Sequence, residues 1–329
     1  MKKMSVVIAM SALVYAFGWQ TSLARSYQMG IAHLGKGGSA LDLGAQKWGE
    51  LVTQRSNGKI RVKYYPASQL GKEADIVTAM QMGSVEGSII GTTLYKQAAP
   101  EYNIWSAYYL FESSDQALAL QNTTVGEECR AAVLKNKGVR IVGYGMRGPR
   151  HVTCNKPVRV PSDMKSLKIR IPLQPIYVAS WKKLGAIPTP LAFGEVYTSL
   201  KMGIVDCQEN PLELIENAHF DEVQKYVNLT GHQNSFFTYS VSERWFQRLP
   251  KNLQKIVIQA GKEAGQHHTK TQKAKEESLK GILTKRGMTF IEANQSAFHS
   301  ELKSIPDQFK SEWVPGLYGR IQEELKRLK

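Results

Sequence analysis

The run Lys168-Ile169-Arg170-Ile171-Pro172 sets an arginine between two isoleucines, and Val205-Asp206-Cys207-Gln208-Glu209-Asn210-Pro211 follows downstream. The first run reads as a short strand. Its apolar neighbours bury Arg170, and a buried charge needs a partner. The planar guanidinium fork suits a carboxylate, held by two parallel hydrogen bonds. The second run reads as another strand, Ile204–Gln208, that ends in a polar turn stopped by proline. The amide of Asn210 can fix the position of the same anion. Arg150 stands twenty residues before Arg170, also within a strand-like run. This chemistry captures a small carboxylate and leaves it unchanged.

The residue patterns that transform substrates are absent or incomplete. Gly30-Ile31-Ala32-His33-Leu34-Gly35-Lys36-Gly37 nearly matches the phosphate-cradling loop, but Gly37 replaces the hydroxyl residue that would hold magnesium. It reads as a strand-to-helix loop at the mouth of a cleft, where backbone amides at the helix N-terminus can meet a ligand. The histidines at 33, 151, 219, 232, 267, 268 and 299 show no metal-ligand spacing. Asp206 and Glu209 read as structural hydrogen-bonding groups, since no nucleophile accompanies them. No cofactor, metal or catalytic residue is expected. The rival reading is a secreted α/β enzyme, a lyase or hydrolase acting on a carboxylic acid.

The elements that position these residues alternate. Tyr27–His33 reads as a strand. Ser39 can cap a helix carrying Leu41, Ala45, Trp48 and Val52 at helical spacing. Ile60, Val62 and Tyr64 alternate with Arg61 and Lys63 as a half-buried strand. A helix at Glu73–Met82, a strand at Val85–Ile90, a helix at Gln116–Leu134 and a strand at Val139–Tyr144 follow. Strands separated by helices predict a sheet covered on both faces. Gly145-Met146-Arg147-Gly148-Pro149 reads as a break, after which the pattern restarts at Arg150–Cys154. A further strand at Phe236–Ser242 is expected to return to the first sheet. Lys251 to Arg286 has no proline and only three glycines, which fits one long helix, or two in series, bracing both halves.

Lys2 and Lys3 precede the apolar stretch Met4 to Trp19, and Ser22-Leu23-Ala24 offers a cleavage site. That is the pattern of a secretory leader at residues 1–24, and it predicts export to the periplasm. The formal net charge of +15 raises the local concentration of anions. The basic residues are dispersed and no nucleic-acid motif accompanies them, so nucleic acid is not an expected partner. Cys129, Cys154 and Cys207 read as small buried side chains, and the odd count and their apolar neighbours predict three free thiols.

Five ordered segments then resemble one family. They are Tyr65-Pro66-Ala67-Ser68-Gln69-Leu70-Gly71, Asp163 to Pro172, Pro190 to Tyr197, Val205 to Pro211 and Phe220 to Lys225. Their order and spacing resemble the TRAP-transporter periplasmic solute-binding proteins of the DctP type. The resemblance implies an α/β fold of two domains joined by a hinge around a ligand cleft. Residues 25–147 with 236–275 would form the first domain, and 148–235 with 276–329 the second. It implies a monomer that closes on a carboxylate and delivers it to a small and a large membrane permease subunit. By the same resemblance Arg170 is the carboxylate clamp, Arg150 a second ligand-facing arginine, and Asn210 the amide of the Q-E-N-P turn. Phe193 would pack on the ligand and Glu73 would lie near the cleft. Sialic-acid-binding members carry a glutamate and an arginine where Gly91, Thr92 and Leu94 stand here, which argues against that ligand.

Overall fold

The computed structural model describes residues 26–328, and the leader expected at 1–24 lies outside the described residues. Nine strands make one mixed sheet. They are β1 (Tyr27–His33), β2 (Ile60–Tyr65), β3 (Gly87–Ile90), β4 (Val139–Cys154), β5 (Lys168–Ile171), β6 (Ile187–Pro190), β7 (Cys207–Pro211), β8 (Tyr226–Ser242) and β9 (Thr289–Ile291). The order is β2-β1-β3-β8-β4-β7-β5-β6, with β9 on β8. One lobe is built on β2-β1-β3 and the other on β7-β5-β6. Strands β4 and β8 pair antiparallel through the middle and pass from lobe to lobe.

The expected break at Gly145–Pro149 is therefore the interior of a single 16-residue strand. The register of β4 on β8 shifts between Ile141 and Gly143, between Arg147 and Arg150, and again before Val152. Glycine and proline sit at these irregularities because a bulge needs no ladder donor from Pro149 and tolerates the missing side chains. What reads as a domain linker is a bulged strand pair that runs between the lobes.

The helix Ala40–Arg55 forms as its pattern predicts. Ser39 Oγ accepts from Asp42 N at 3.1 Å, and Leu41, Ala45, Trp48 and Val52 are all buried. Trp48 meets the Tyr239 ring edge-on at 5.4 Å. Burial of side chains this large contributes about 1.5–3 kcal/mol each. The long helix is unbroken from Lys251 to Lys285. Its Leu253, Val257, Ala260 and Ala264 enter the core around Trp48, whereas Leu279 and Leu283 enter a core of the second lobe with Leu212, Ile215 and Phe220. The brace is thus anchored in both lobes. Gly265 lets it lie against β4: a Cβ there would stand 2.1 Å from Tyr144 O.

Three readings are corrected. The expected helix Gln116–Leu134 is two helices, Ser114–Leu120 and Thr124–Lys137, because Thr123 takes an extended N-cap conformation and restarts the helix. The strand expected at Ile204–Gln208 lies at Cys207–Pro211, and β6 was not expected at all. Its two prolines mask it, and they are tolerated because β6 is an edge strand.

The third correction concerns the cysteines. Cys154 and Cys207 are direct partners in the β4–β7 pairing, with Cα atoms 4.4 Å apart, and they form a disulfide. Fifty-three residues separate them in sequence, so only the strand register brings them together. Cys129 is the free cysteine. It is buried, accepts from Trp105 Nε1 at 3.1 Å, and burial pushes its thiol pKa up. Thiol titration of denatured protein without reductant should therefore count one thiol, rising to three after reduction. A count of three before reduction would refute the bridge.

Candidate functional site

The two lobes enclose a cleft of about 360 Å³. That volume suits a small organic molecule. Arg170, Asn210, Phe193 and Glu73 all line it, and Arg150 does not.

Arg170 comes from β5 and Asn210 from β7, which pair in parallel with Arg170 beside Gln208. Strand alternation then projects Arg170, Gln208 and Asn210 from one face and Glu209 from the other. Arg170 is 2% exposed. Its Nε and Nη2 both donate to Leu191 O, at 3.0 and 2.6 Å. Among the described residues no carboxylate stands within ion-pair distance of it. Burial lowers its pKa to about 10, opposed by Glu209 and deepened by Arg150 and Arg147. Desolvation without a counter-ion leaves a cation prepared for an anion. Asn210 is oriented by a chain of amides and a hydroxyl: its Nδ2 donates to Gln208 Oε1 at 2.6 Å, and Gln208 Nε2 donates to Thr153 Oγ1 at 2.9 Å.

Glu73 opens the helix Glu73–Met82, where a carboxylate is favoured by the helix dipole. It accepts from Gly91 N at 3.1 Å and from Thr93 Oγ1 at 2.8 Å. Phe193 reaches the cleft from the loop after β6 and meets the Phe220 ring at 6.1 Å. Across the mouth, Lys96 Nζ donates to Leu173 O and Asn103 Nδ2 donates to Gln174 Oε1 at 3.0 Å. These contacts join the two lobes over the cavity.

Arg150 corrects the sequence expectation. It is 1% exposed and faces Glu209, which accepts from Nε and, at 2.7 Å, from Nη2. Glu209 Oε2 also lies 3.0 Å from His232 Nε2. An ionised carboxylate only accepts, so Nε2 carries the histidine proton and Nδ1 accepts from Thr230 Oγ1, 2.8 Å away. Burial would raise the Glu209 pKa, but Arg150 and His232 hold it at about 2. Burial keeps His232 neutral against the pull of Glu209. This trio stands on the face of β7 opposite Asn210 and supports the cleft from behind.

Two amides at the start of the helix that follows the loop Gly30–Gly37 are bonded to side chains. Gly38 N donates to Asp42 Oδ2 at 2.8 Å, and Ala40 N donates to Glu213 of the other lobe. Burial raises the Glu213 pKa to about 7, with the Ala40 amide opposing. From this region Leu34 alone reaches the cleft.

Tyr177 and Arg147 are among the cleft residues that escaped sequence reasoning. Tyr177, on the helix Pro175–Lys183, lines the cavity with its hydroxyl donating to Gln233 Oε1 at 2.7 Å. Arg147 lines it from β4. Its signal was the pair of arginines in Arg147-Gly148-Pro149-Arg150, of which only the second was singled out.

The family model for bacterial extracellular solute-binding proteins, family 7, matches residues 31–312. A solute-binding protein of Roseobacter denitrificans is 34% identical over 296 residues, covering 90% of this chain and 91% of that one. A crystal structure of a TRAP periplasmic solute-binding protein from that organism, with bound L-galactonate, superposes with a TM-score of 0.84 at 32% identity, covering 92% of this chain and 99% of that one. The 2,3-diketo-L-gulonate-binding periplasmic protein of Escherichia coli is 29% identical over 270 residues, covering 81% of this chain and 82% of that one. The chain belongs to the bacterial extracellular solute-binding proteins of family 7, the binding proteins of TRAP transporters.

Proposed function

We propose that this chain captures a small polyhydroxylated carboxylate between its lobes and hands it, as a periplasmic monomer, to a small and a large permease subunit in the membrane. Arg170 carries the reading. It is a cleft-lining guanidinium, almost fully buried, with no carboxylate of the protein within ion-pair distance among the described residues. A ligand carboxylate supplies the missing counter-ion. Asn210 and Glu73 offer hydrogen bonds to hydroxyl groups, and Phe193 and Tyr177 offer apolar and aromatic surface. The relatives support the same class, since L-galactonate and 2,3-diketo-L-gulonate are both sugar acids. Arg150 acts indirectly, by holding Glu209 beneath the strand that presents Asn210.

The test is native mass spectrometry of the exported protein, followed by denaturation and identification of what is released. One molecule of a small organic acid per chain, returned unchanged after incubation with excess ligand, is the expected result. Conversion of the acid to a product would establish the rival enzyme. Absence of binding across C3–C6 carboxylic acids would remove the carboxylate reading altogether.

A further inference from the structure

Arg147 is unlike the other cations of the cleft. It projects from the bulged middle of β4, where pairing with β8 slips between Arg147 and Arg150. Among the described residues its guanidinium has no hydrogen-bond or ion-pair partner, and its Nε is buried without one. It is positioned instead by Phe237, whose ring centroid lies 4.9 Å from Cζ. That cation–π contact orients the guanidinium but supplies no acceptor for its N–H groups. Burial and the charge of Arg150 together lower its pKa to about 10, opposed by Glu73.

Space has been made for this side chain. A Cβ added at Gly91 would stand 2.5 Å from Arg147 Nη1. The small residue after β3 therefore lets the guanidinium into the cleft. Nearby acids are committed elsewhere. Glu73 accepts from Gly91 N and Thr93 Oγ1, and it is not within ion-pair distance of Arg147. Glu209 is taken by Arg150 and His232. Glu195 lies 3.9 Å from Lys72. Four cationic side chains, Lys72, Lys96, Arg147 and Arg170, line the cleft against two acidic ones, Glu73 and Glu195. The excess is two positive charges. Lys72 has Glu195 beside it, and Lys96 sits at the mouth, where water reaches its ammonium. That leaves Arg147 and Arg170 as the stranded cations of the cleft floor.

We propose that Arg147 is a second anion-binding residue, and that the ligand of this chain is a polyhydroxy diacid with one carboxylate on Arg170 and the other on Arg147. This deepens the reading above and rests on it. A diacid neutralises both stranded guanidiniums, whereas a monoacid leaves one of them desolvated and unpaired. The hydroxyls between the two ends fall to Glu73, Thr93 and Asn210. Discrimination then comes from the unpaired cation as much as from the new contact.

Calorimetry of the mature protein with galactonate and galactarate tests this. The two ligands differ only in a terminal carboxylate replacing a primary alcohol. The diacid should bind at least tenfold more tightly. Arg147→Met, which keeps the stem and removes the charge, should weaken the diacid by roughly 30-fold or more. It should change the monoacid by less than threefold. Gly91→Ala approaches the same group from another side and should reduce the preference for the diacid without removing any charge. A monoacid bound as tightly as the diacid would overturn the proposal. So would equal losses of both ligands in Arg147→Met, which would mean that one carboxylate bridges both arginines. In either case the carboxylate reading itself stands. Only failure to bind any carboxylate in the C3–C6 panel would defeat both.

Discussion

Arg170→Ala is expected to weaken ligand binding by roughly 30-fold to several thousand-fold, the range that follows from about 2–5 kcal/mol for truncating one partner of a desolvated charge pair. Two effects add. The ligand carboxylate loses a charge-assisted fork, and Leu191 O loses both donors that satisfy it. Arg170→Lys should not restore the parent affinity. A lysine keeps the charge but cannot donate to Leu191 O and hold a carboxylate with a planar pair at once. Calorimetry on both variants settles the matter. A lysine variant that binds as tightly as the parent would reduce Arg170 to a source of general positive charge.

Glu209→Gln should cost stability and not affinity alone. The change leaves Arg150 as a buried charge without a counter-ion, and breaking such a pair typically costs about 3–5 kcal/mol. The new amide also turns a donor toward a site where Arg150 and His232 already donate. The pH dependence follows from the sign of the shift. The carboxyl titrates at about 2 in the folded chain, below its ordinary value of 4.5. Its contribution is complete above the ordinary value and is lost as pH falls toward 2. The stability gap between parent and variant should therefore be wide at pH 7 and narrow at pH 3 in urea unfolding. A gap under about 1 kcal/mol at neutral pH would contradict the geometry. Arg150→Met combined with Glu209→Leu should cost less than Glu209→Gln, because no charge is then stranded.

The sequence made Arg170 legible because a charge between isoleucines on a strand has few places to go. Asn210 was reached from the polar turn that ends its strand, Phe193 and Glu73 through resemblance, and the structure puts all three on the cleft. Arg150 was misplaced for a physical reason. Its partner, Glu209, is fifty-nine residues away and is delivered by the pairing of β4 with β7. The disulfide was hidden in the same way, since Cys154 and Cys207 meet only through register. Arg147 was hidden by its neighbours: glycine and proline around it read as a linker, when they mark a bulge within a continuous strand. Local patterns such as the Leu41, Ala45, Trp48, Val52 stripe were read correctly because the signal and the structure share one helix. Most of what failed depended on which strands lie side by side; the split of Gln116–Leu134 at Thr123 is the local exception.

The pairing of β3 with β8 bears on how the molecule is made. β3 lies between β1 and β8, and Thr238 Oγ1 reaches Ile90 O across 148 residues of sequence. At about 5–20 residues per second, roughly 7 to 30 seconds of synthesis separate the two strands. Throughout that interval Gly87–Ile90, all buried in the finished protein, has an unpaired edge. Such an edge recruits other chains. A nascent chain kept unfolded until its C-terminal half is complete avoids this hazard, as one threaded across a membrane would be. The sheet of the first lobe is thus completed only by a strand that is made after β5, β6 and β7 of the second.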